Sequence, residues 1–126
     1  MTYVLDASAL LAWLHGEPGG ERVPALLDGA SISAVNWCEV VQKALQRGAN
    51  VDGMLDDVRE MGLTVEPFTA AQADRAAVLW AQTRQQGLSL GDRACIALAV
   101  ELSATALTTD RRWAQLGLDA AIEFLR

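Results

Sequence analysis

Short β-rich apolar runs alternate with helical segments along the whole chain, and this alternation constrains the fold more than any other feature. Thr2-Tyr3-Val4-Leu5 reads as a strand ending at Asp6, and Ser31-Ile32-Ser33 as a second. Leu63-Thr64-Val65-Glu66, stopped by Pro67, reads as a third, Ala104 to Thr108 as a fourth and Ala121 to Phe124 as a fifth. The spacing predicts helices between them: Ser8 to His15, Glu21 to Leu27, Ala34 to Arg47, Val51 to Met61, Thr69 to about Gln86, Leu90 to Leu102, and Asp110 to Leu116. Thr69 followed by Gln72 has the form of a capping box. The segment Ala94-Cys95-Ile96-Ala97-Leu98-Ala99-Val100 is apolar almost all round, as a buried helix is. This pattern specifies an α/β fold: a small parallel sheet of four to five short strands, covered by helices on both faces.

The 126 residues fit one domain spanning 1–126, and an apolar share of 52% excludes wholesale disorder. No run is long and apolar enough for a membrane span, and no basic region precedes the first apolar stretch. A membrane anchor and a signal peptide are therefore not expected. There is one lysine, Lys43, and no GxxxxGK motif, which excludes a P-loop. The one histidine, His15, excludes His-rich zinc sites and leaves no elbow-type serine triad. Cys38 and Cys95 read as buried free thiols in a reducing compartment, so a cytoplasmic location is expected. The net charge of −6 argues against a generally basic nucleic-acid-binding surface.

In parallel α/β sheets, ligands bind beyond the carboxyl ends of the strands. Four acids belong near that edge. Asp6 ends the first strand, Asp110 ends the fourth, Asp92 opens the buried helix, and Glu39 follows the second strand by fewer than two turns. Each has a structural reading when taken alone: Asp6 and Asp92 as helix caps, Asp110 as a turn residue, and Glu39 as a partner of Lys43 one turn on. Together they have apolar flanks and few basic partners. Buried carboxylates must be paired or coordinate a metal. Clustered hard oxygen ligands suit Mg²⁺ or Mn²⁺, the apparatus for in-line attack of water on a phosphodiester.

Four segments carrying these acids resemble the motifs of PIN-domain nucleases. They are Val4-Leu5-Asp6-Ala7-Ser8-Ala9-Leu10, Ser33-Ala34-Val35-Asn36-Trp37-Cys38-Glu39-Val40, Leu90-Gly91-Asp92 with Ile96-Ala97-Leu98-Ala99, and Leu107-Thr108-Thr109-Asp110-Arg111-Arg112-Trp113. They stand in the family's order and cover the whole chain, whose size is similar to that of VapC-type toxins of toxin–antitoxin pairs. The resemblance implies a PIN-like fold and metal binding by Asp6, Glu39, Asp92 and Asp110. Ser8, Asn36 and Thr108 match its supporting polar positions. It further implies Mg²⁺- or Mn²⁺-dependent cleavage of RNA (tRNA, rRNA or mRNA) with one or two ions, leaving 5′-phosphate and 3′-hydroxyl ends. Homodimers and a cognate VapB-type antitoxin are implied as well. No acid follows Trp113 until Asp119, so the matching set is four carboxylates.

Arg93, Arg111, Arg112, Lys43 and Arg47 lie near the four acids in sequence and are the candidates for RNA contact. Trp37 and Trp113 are expected in the core rather than stacked on bases. A haloacid-dehalogenase-type phosphatase also begins with an Asp after strand one, but it wants a second Asp where Ser8 stands and a lysine after Lys43. A flap-type DNA nuclease would be larger. A catalytically silent PIN-fold binding module remains as the other alternative.

Overall fold

The computed structural model describes residues 2–126. Five strands form one sheet: β1 (Tyr3–Leu5), β2 (Ser31–Ser33), β3 (Thr64–Glu66), β4 (Thr105–Thr108) and β5 (Ile122–Phe124). Every neighbouring pair is parallel, in the order β3-β2-β1-β4-β5. Five α-helices connect and cover the strands: α1 (Ala7–Leu14), α2 (Ala34–Gln46), α3 (Met54–Glu60), α4 (Ala70–Thr83) and α5 (Leu90–Glu101).

Two apolar layers follow from the two-residue period of the strands. Leu5, Ile32 and Leu107 face a layer with Ala9 and Leu10 of α1, Val40 of α2 and Val58 of α3. Val4 and Ala106 face the opposite layer, with Ala76 and Leu79 of α4, Trp113, and Cys95, Ile96 and Leu98 of α5. Burial of β1 on both faces explains its unbroken apolar sequence. Trp113 is in the core, as expected, and Trp37 packs at the rim of the first layer.

The chain runs outward from β1 to β2 and β3, then returns to β4 on the other side of β1. The strand order therefore reverses between β1 and β4, which makes the crevice there the ligand site of an open parallel sheet.

Some sequence expectations are corrected. Residues 21–27 form two short 3-10 turns, Gly20–Arg22 and Pro24–Leu26, rather than one helix. Pro24 supplies no N–H, and Gly20 sits so close to the Ala12 carbonyl that a Cβ would overlap it. The segment after β4 is likewise a 3-10 turn, Arg111–Gln115. Cys38 is exposed rather than buried. The buried stripe of α2 runs through Asn36, Val40 and Ala44, and Cys38 lies off that four-residue row. Cys95 is buried, and both thiols are free. Thr69 caps α4, but Gln72 closes no reciprocal box; its amide donates to Glu101 instead, at 2.7 Å.

Candidate metal centre

The four acids reach the β1–β4 crevice from four different elements. Asp6 directly follows β1 and its backbone N–H continues the sheet ladder to the Leu107 carbonyl. Its side chain is the N-cap of α1, with Oδ1 accepting from the Ala9 N–H at 2.9 Å and from Ser8 Oγ at 2.7 Å. Oδ2 accepts from Thr108 Oγ1 at 2.6 Å. The capping reading and the site reading are thus both satisfied by one side chain.

Asp6 is only 4% exposed. Burial pushes its carboxyl up to about 6, against the pull of the hydroxyls of Thr108 and Ser8 and of the Ala9 N–H; the nearby charge of Asp92 adds to the rise. A buried carboxylate with three donors and no cation is a group built to be ionised but short of a positive partner.

Thr108 ends β4 and is fully buried. Its hydroxyl donates to Asp6 and accepts from the Asp110 N–H at 3.0 Å, tying the two strand ends together. Ser8 accepts from the Thr109 N–H at 3.0 Å while donating to Asp6. The supporting roles expected of Ser8 and Thr108 thus have a physical form: each hydroxyl holds Asp6 with its proton and the neighbouring strand with its lone pair.

Glu39 stands on α2 beside Asn36. The Asn36 amide donates to Glu39 Oε1 at 3.0 Å and to the Gly91 carbonyl at 2.9 Å, locking α2 against the start of α5. These two acceptors fix the orientation of the amide. Asn36 Oδ1 is left buried with no protein partner, in the wall of the acid cavity. Burial holds the Glu39 carboxyl above its ordinary value. Glu39 and Lys43 form no ion pair within 4.0 Å among the described residues, so their expected surface bridge is not made, although Lys43 lines the same cavity.

Asp92 belongs to a complete capping box. Ser89 Oγ accepts from the Asp92 N–H at 3.1 Å, and Asp92 Oδ2 accepts from the Ser89 N–H at 2.9 Å. Its other oxygen makes no hydrogen bond, so the cap leaves a donor for the crevice. Ser89 is a supporting residue that the sequence reading missed, although Ser-x-x-Asp before an apolar run is the signature of such a box. Asp110 pairs with Arg112, whose guanidinium holds the carboxyl below its ordinary value.

Asp6, Glu39, Asp92 and Asp110 line a single cavity of about 210 Å³ together with Ser8, Asn36 and Lys43. The donor set is all oxygen, with one orphaned amide oxygen and a carboxylate that burial has left without a counter-charge. That chemistry fits a hard divalent cation. No three acidic, His or Cys side chains among the described residues stand in metal-holding geometry.

Gly91 is a second residue whose role the sequence reading did not give. It is buried, and a Cβ there would meet Glu39, 2.8 Å from the carboxyl carbon and 2.9 Å from Oε2. The position is bare so that the Glu39 carboxylate can lie against the start of α5. Gly91→Ala is expected to change stability by less than about 1 kcal/mol, because better helix propensity offsets crowding of a movable side chain. The same variant should bind Mn²⁺ roughly tenfold or more weakly through displacement of Glu39. Melting and Mn²⁺ binding measured on one preparation check the pair of outcomes.

The candidate RNA contacts divide. Lys43 is in the acid cavity, and Arg47 lines an adjoining cavity of about 480 Å³ with Ser8, His15, Lys43 and Arg126. Arg93 is corrected: it turns away from the crevice and donates to the Ala76 carbonyl of α4 at 2.8 Å. Arg111 donates to the Arg126 carbonyl and lies over the Phe124 ring, 4.7 Å from its centroid. Arg112 is committed to Asp110.

A doubly wound parallel domain with four carboxylates at its switch point defines a class of candidate metal-dependent enzymes. The PIN domain matches residues 3–118, and the chain belongs to the PIN domain family. Among curated proteins no sequence matches it significantly. The solved structures it resembles include a toxin–antitoxin complex from Klebsiella pneumoniae, with 16% identity, a TM-score of 0.76 and 98% of each chain covered. A DNA-bound VapBC from Salmonella typhimurium superposes with a TM-score of 0.74 at 14% identity, covering 100% of this chain and 99% of that one. VapC20 of Mycobacterium tuberculosis, a sarcin–ricin-loop-cleaving toxin, gives 0.72 at 17% identity over 92% and 95%. At such identities the likeness is one of fold.

Proposed function

We propose that the chain is a Mg²⁺- or Mn²⁺-dependent endoribonuclease of the VapC-toxin kind, hydrolysing RNA phosphodiester bonds at Asp6, Glu39, Asp92 and Asp110. The observation that carries this reading is the gathering of all four acids on one cavity at the switch point, with Asp6 buried and without a cation. Family membership and the fold likeness to toxin structures support it.

Asp6 is the fixed member of the centre: Ser8, Thr108 and Ala9 leave it one orientation. Asp92 offers its free oxygen from α5, Asp110 comes from the end of β4, and Glu39 comes from α2. A divalent cation held by these oxygens would supply a water of lowered pKa and would neutralise charge developing on the phosphate. Glu39, with its carboxyl raised by burial, is suited to take the proton of the attacking water. Lys43 faces the same cavity and can pair with a phosphate oxygen. The products would carry 5′-phosphate and 3′-hydroxyl ends. An RNA target among tRNA, rRNA or mRNA, a homodimer, a cognate VapB-type antitoxin and a cytoplasmic location belong to the same proposal. No helix among the described residues is long and apolar enough to cross a membrane.

The haloacid-dehalogenase reading is set aside, because Ser8 occupies the place of the second Asp and spends its hydroxyl on Asp6. The silent binding module is the reading that experiment must separate. Structured RNAs, tRNA included, incubated with the protein and Mg²⁺ or Mn²⁺ should be cut, and chelator should stop the reaction. Cleavage that persists in chelator, or that Asp6→Asn retains in full, would sink the proposal.

A further inference from the structure

Arg112 lies across the carboxylate centre. Its Nε donates to both Asp110 oxygens, at 3.0 and 3.1 Å, and its Nη2 donates to Oδ2 at 2.6 Å. The same Nη2 lies 4.0 Å from Asp92 Oδ2. The Arg112 backbone N–H also reaches Asp110 Oδ1, at 3.0 Å. Both oxygens of Asp110 are therefore occupied by one residue of the same chain, and the same guanidinium makes a long approach to Asp92.

The guanidinium is loosely held elsewhere. Its remaining contact is a long one, 3.5 Å from Nη1 to the Gln86 carbonyl, and the side chain is 58% exposed. Arg112 itself lines an open cavity of about 630 Å³ with Gln85, Gln86, Arg111 and Gln115, which gives its side chain room to move off Asp110. The short 3-10 turn that follows Asp110 sets up the pairing: Asp110 caps this turn, and Arg112 is its second residue, so backbone and side chain of Arg112 address the same carboxylate.

We propose that Arg112 is a built-in competitor of the divalent cation: it holds Asp110 and lies near Asp92, and a cation gains Asp110 only as the guanidinium swings off that carboxylate within the open cavity that Arg112 lines. The proposal rests on the metal-nuclease reading above and adds a control to that site. A guanidinium and a divalent cation cannot share both Asp110 oxygens, and like charges a few ångströms apart repel. The consequence is a threshold: the centre loads at a higher cation concentration than its four acids alone would require. Arg112 is in this sense a positioning residue, acting through Asp110.

The test is Mn²⁺ binding by calorimetry and by the loss of the free-ion resonance signal, on the full chain. Arg112→Gln removes the charge and the fork, whereas Arg112→Lys keeps the charge and loses the fork. Arg59→Gln, on an exposed turn of α3, controls for net charge alone. Arg112→Gln is expected to bind Mn²⁺ roughly two- to fivefold more tightly than the wild type, the scale of a well-formed exposed pair. Arg112→Lys should fall between, and Arg59→Gln should match the wild type. The Mg²⁺ concentration for half-maximal cleavage should fall in the same order. Equal or weaker Mn²⁺ binding by Arg112→Gln overturns the competitor role while leaving the nuclease reading intact. Absence of Mn²⁺ binding in the wild type and in Arg112→Gln overturns both.

Discussion

Asp6→Asn is expected to lower RNA cleavage on the order of a thousandfold, about 4 kcal/mol of transition-state stabilisation, while making the protein more stable. The first effect follows from position. Asp6 is the one buried member of the four acids and is held by donors from three different residues, Ser8, Ala9 and Thr108, so it is the member around which the others would close. Asparagine keeps the shape and loses the charge that a cation requires.

The second effect follows from burial. The carboxyl of Asp6 is raised from 3.8 to about 6 in the folded chain. The stability this contributes is fully present below about pH 4, where both states hold the proton, and it is lost as pH rises through about 6. At pH 8 the ionised side chain costs about 3 kcal/mol relative to its unfolded state, an order-of-magnitude figure. Asparagine removes that cost and is an equally good N-cap, but it meets the Thr108 hydroxyl less well. The expected gain is about 1–3 kcal/mol at pH 8 in chelator, a melting shift of several degrees, shrinking to nothing near pH 4. In the wild type, Mn²⁺ affinity should weaken below about pH 6, where the proton competes for Asp6. Melting curves across pH, with and without Mn²⁺, check both signs. A lower melting temperature for Asp6→Asn at pH 8 would make Asp6 a structural cap.

Thr108→Val should lower both stability and cleavage. Valine fills the same volume but neither donates to Asp6 nor accepts from the Asp110 N–H. Loss of a bond to a charged group together with an N–H left without its acceptor amounts to about 3 kcal/mol of destabilisation at pH 8. The Thr108 hydroxyl is the leading hydrogen-bond pull on the Asp6 carboxyl, so its loss should raise that carboxyl further. The acidic limb of the cleavage–pH profile should then move upward by about one unit, and Thr108→Ser should restore it. A profile that stays in place while stability falls would make Thr108 a packing residue only.

The central strands β1 and β4 were legible because they are largely buried and apolar, whereas β3 and β5 are only partly buried, and the Gly and Pro stops between strands are strong local signals. The errors fall where local pattern and local geometry part. Glu21 to Leu27 has a helical apolar pattern, yet Pro24 and the tight approach of Gly20 to α1 leave room only for two 3-10 turns. Cys38 looks buried from its apolar neighbours, but it lies off the row of α2 that meets the core. Gly91 and Ser89 escaped notice for different reasons. The need for a bare Cα at Gly91 arises from Glu39, a residue distant in sequence, whereas the Ser89–Asp92 box is local and was available to be read.

Sequence by itself determined the class of fold and pointed to the four acids, because those positions are tied to strand ends and helix starts that local chemistry specifies, whereas Ser8 and Thr108 were indicated only by the family resemblance. Only the tertiary structure decided how the acids divide their work. Asp6 is buried and held three ways, Asp92 spends one oxygen on a cap, and Glu39 lies in a space that Gly91 leaves. Arg93 turns away from the crevice while Arg112 turns onto it. Arg93 stands one residue after Asp92 and Arg112 two after Asp110, and such spacings do not show which guanidinium reaches the crevice. What separates them is which surface their elements face: the side chain of Arg93 is drawn against α4 by a backbone carbonyl, and Arg112 follows a turn that Asp110 itself caps.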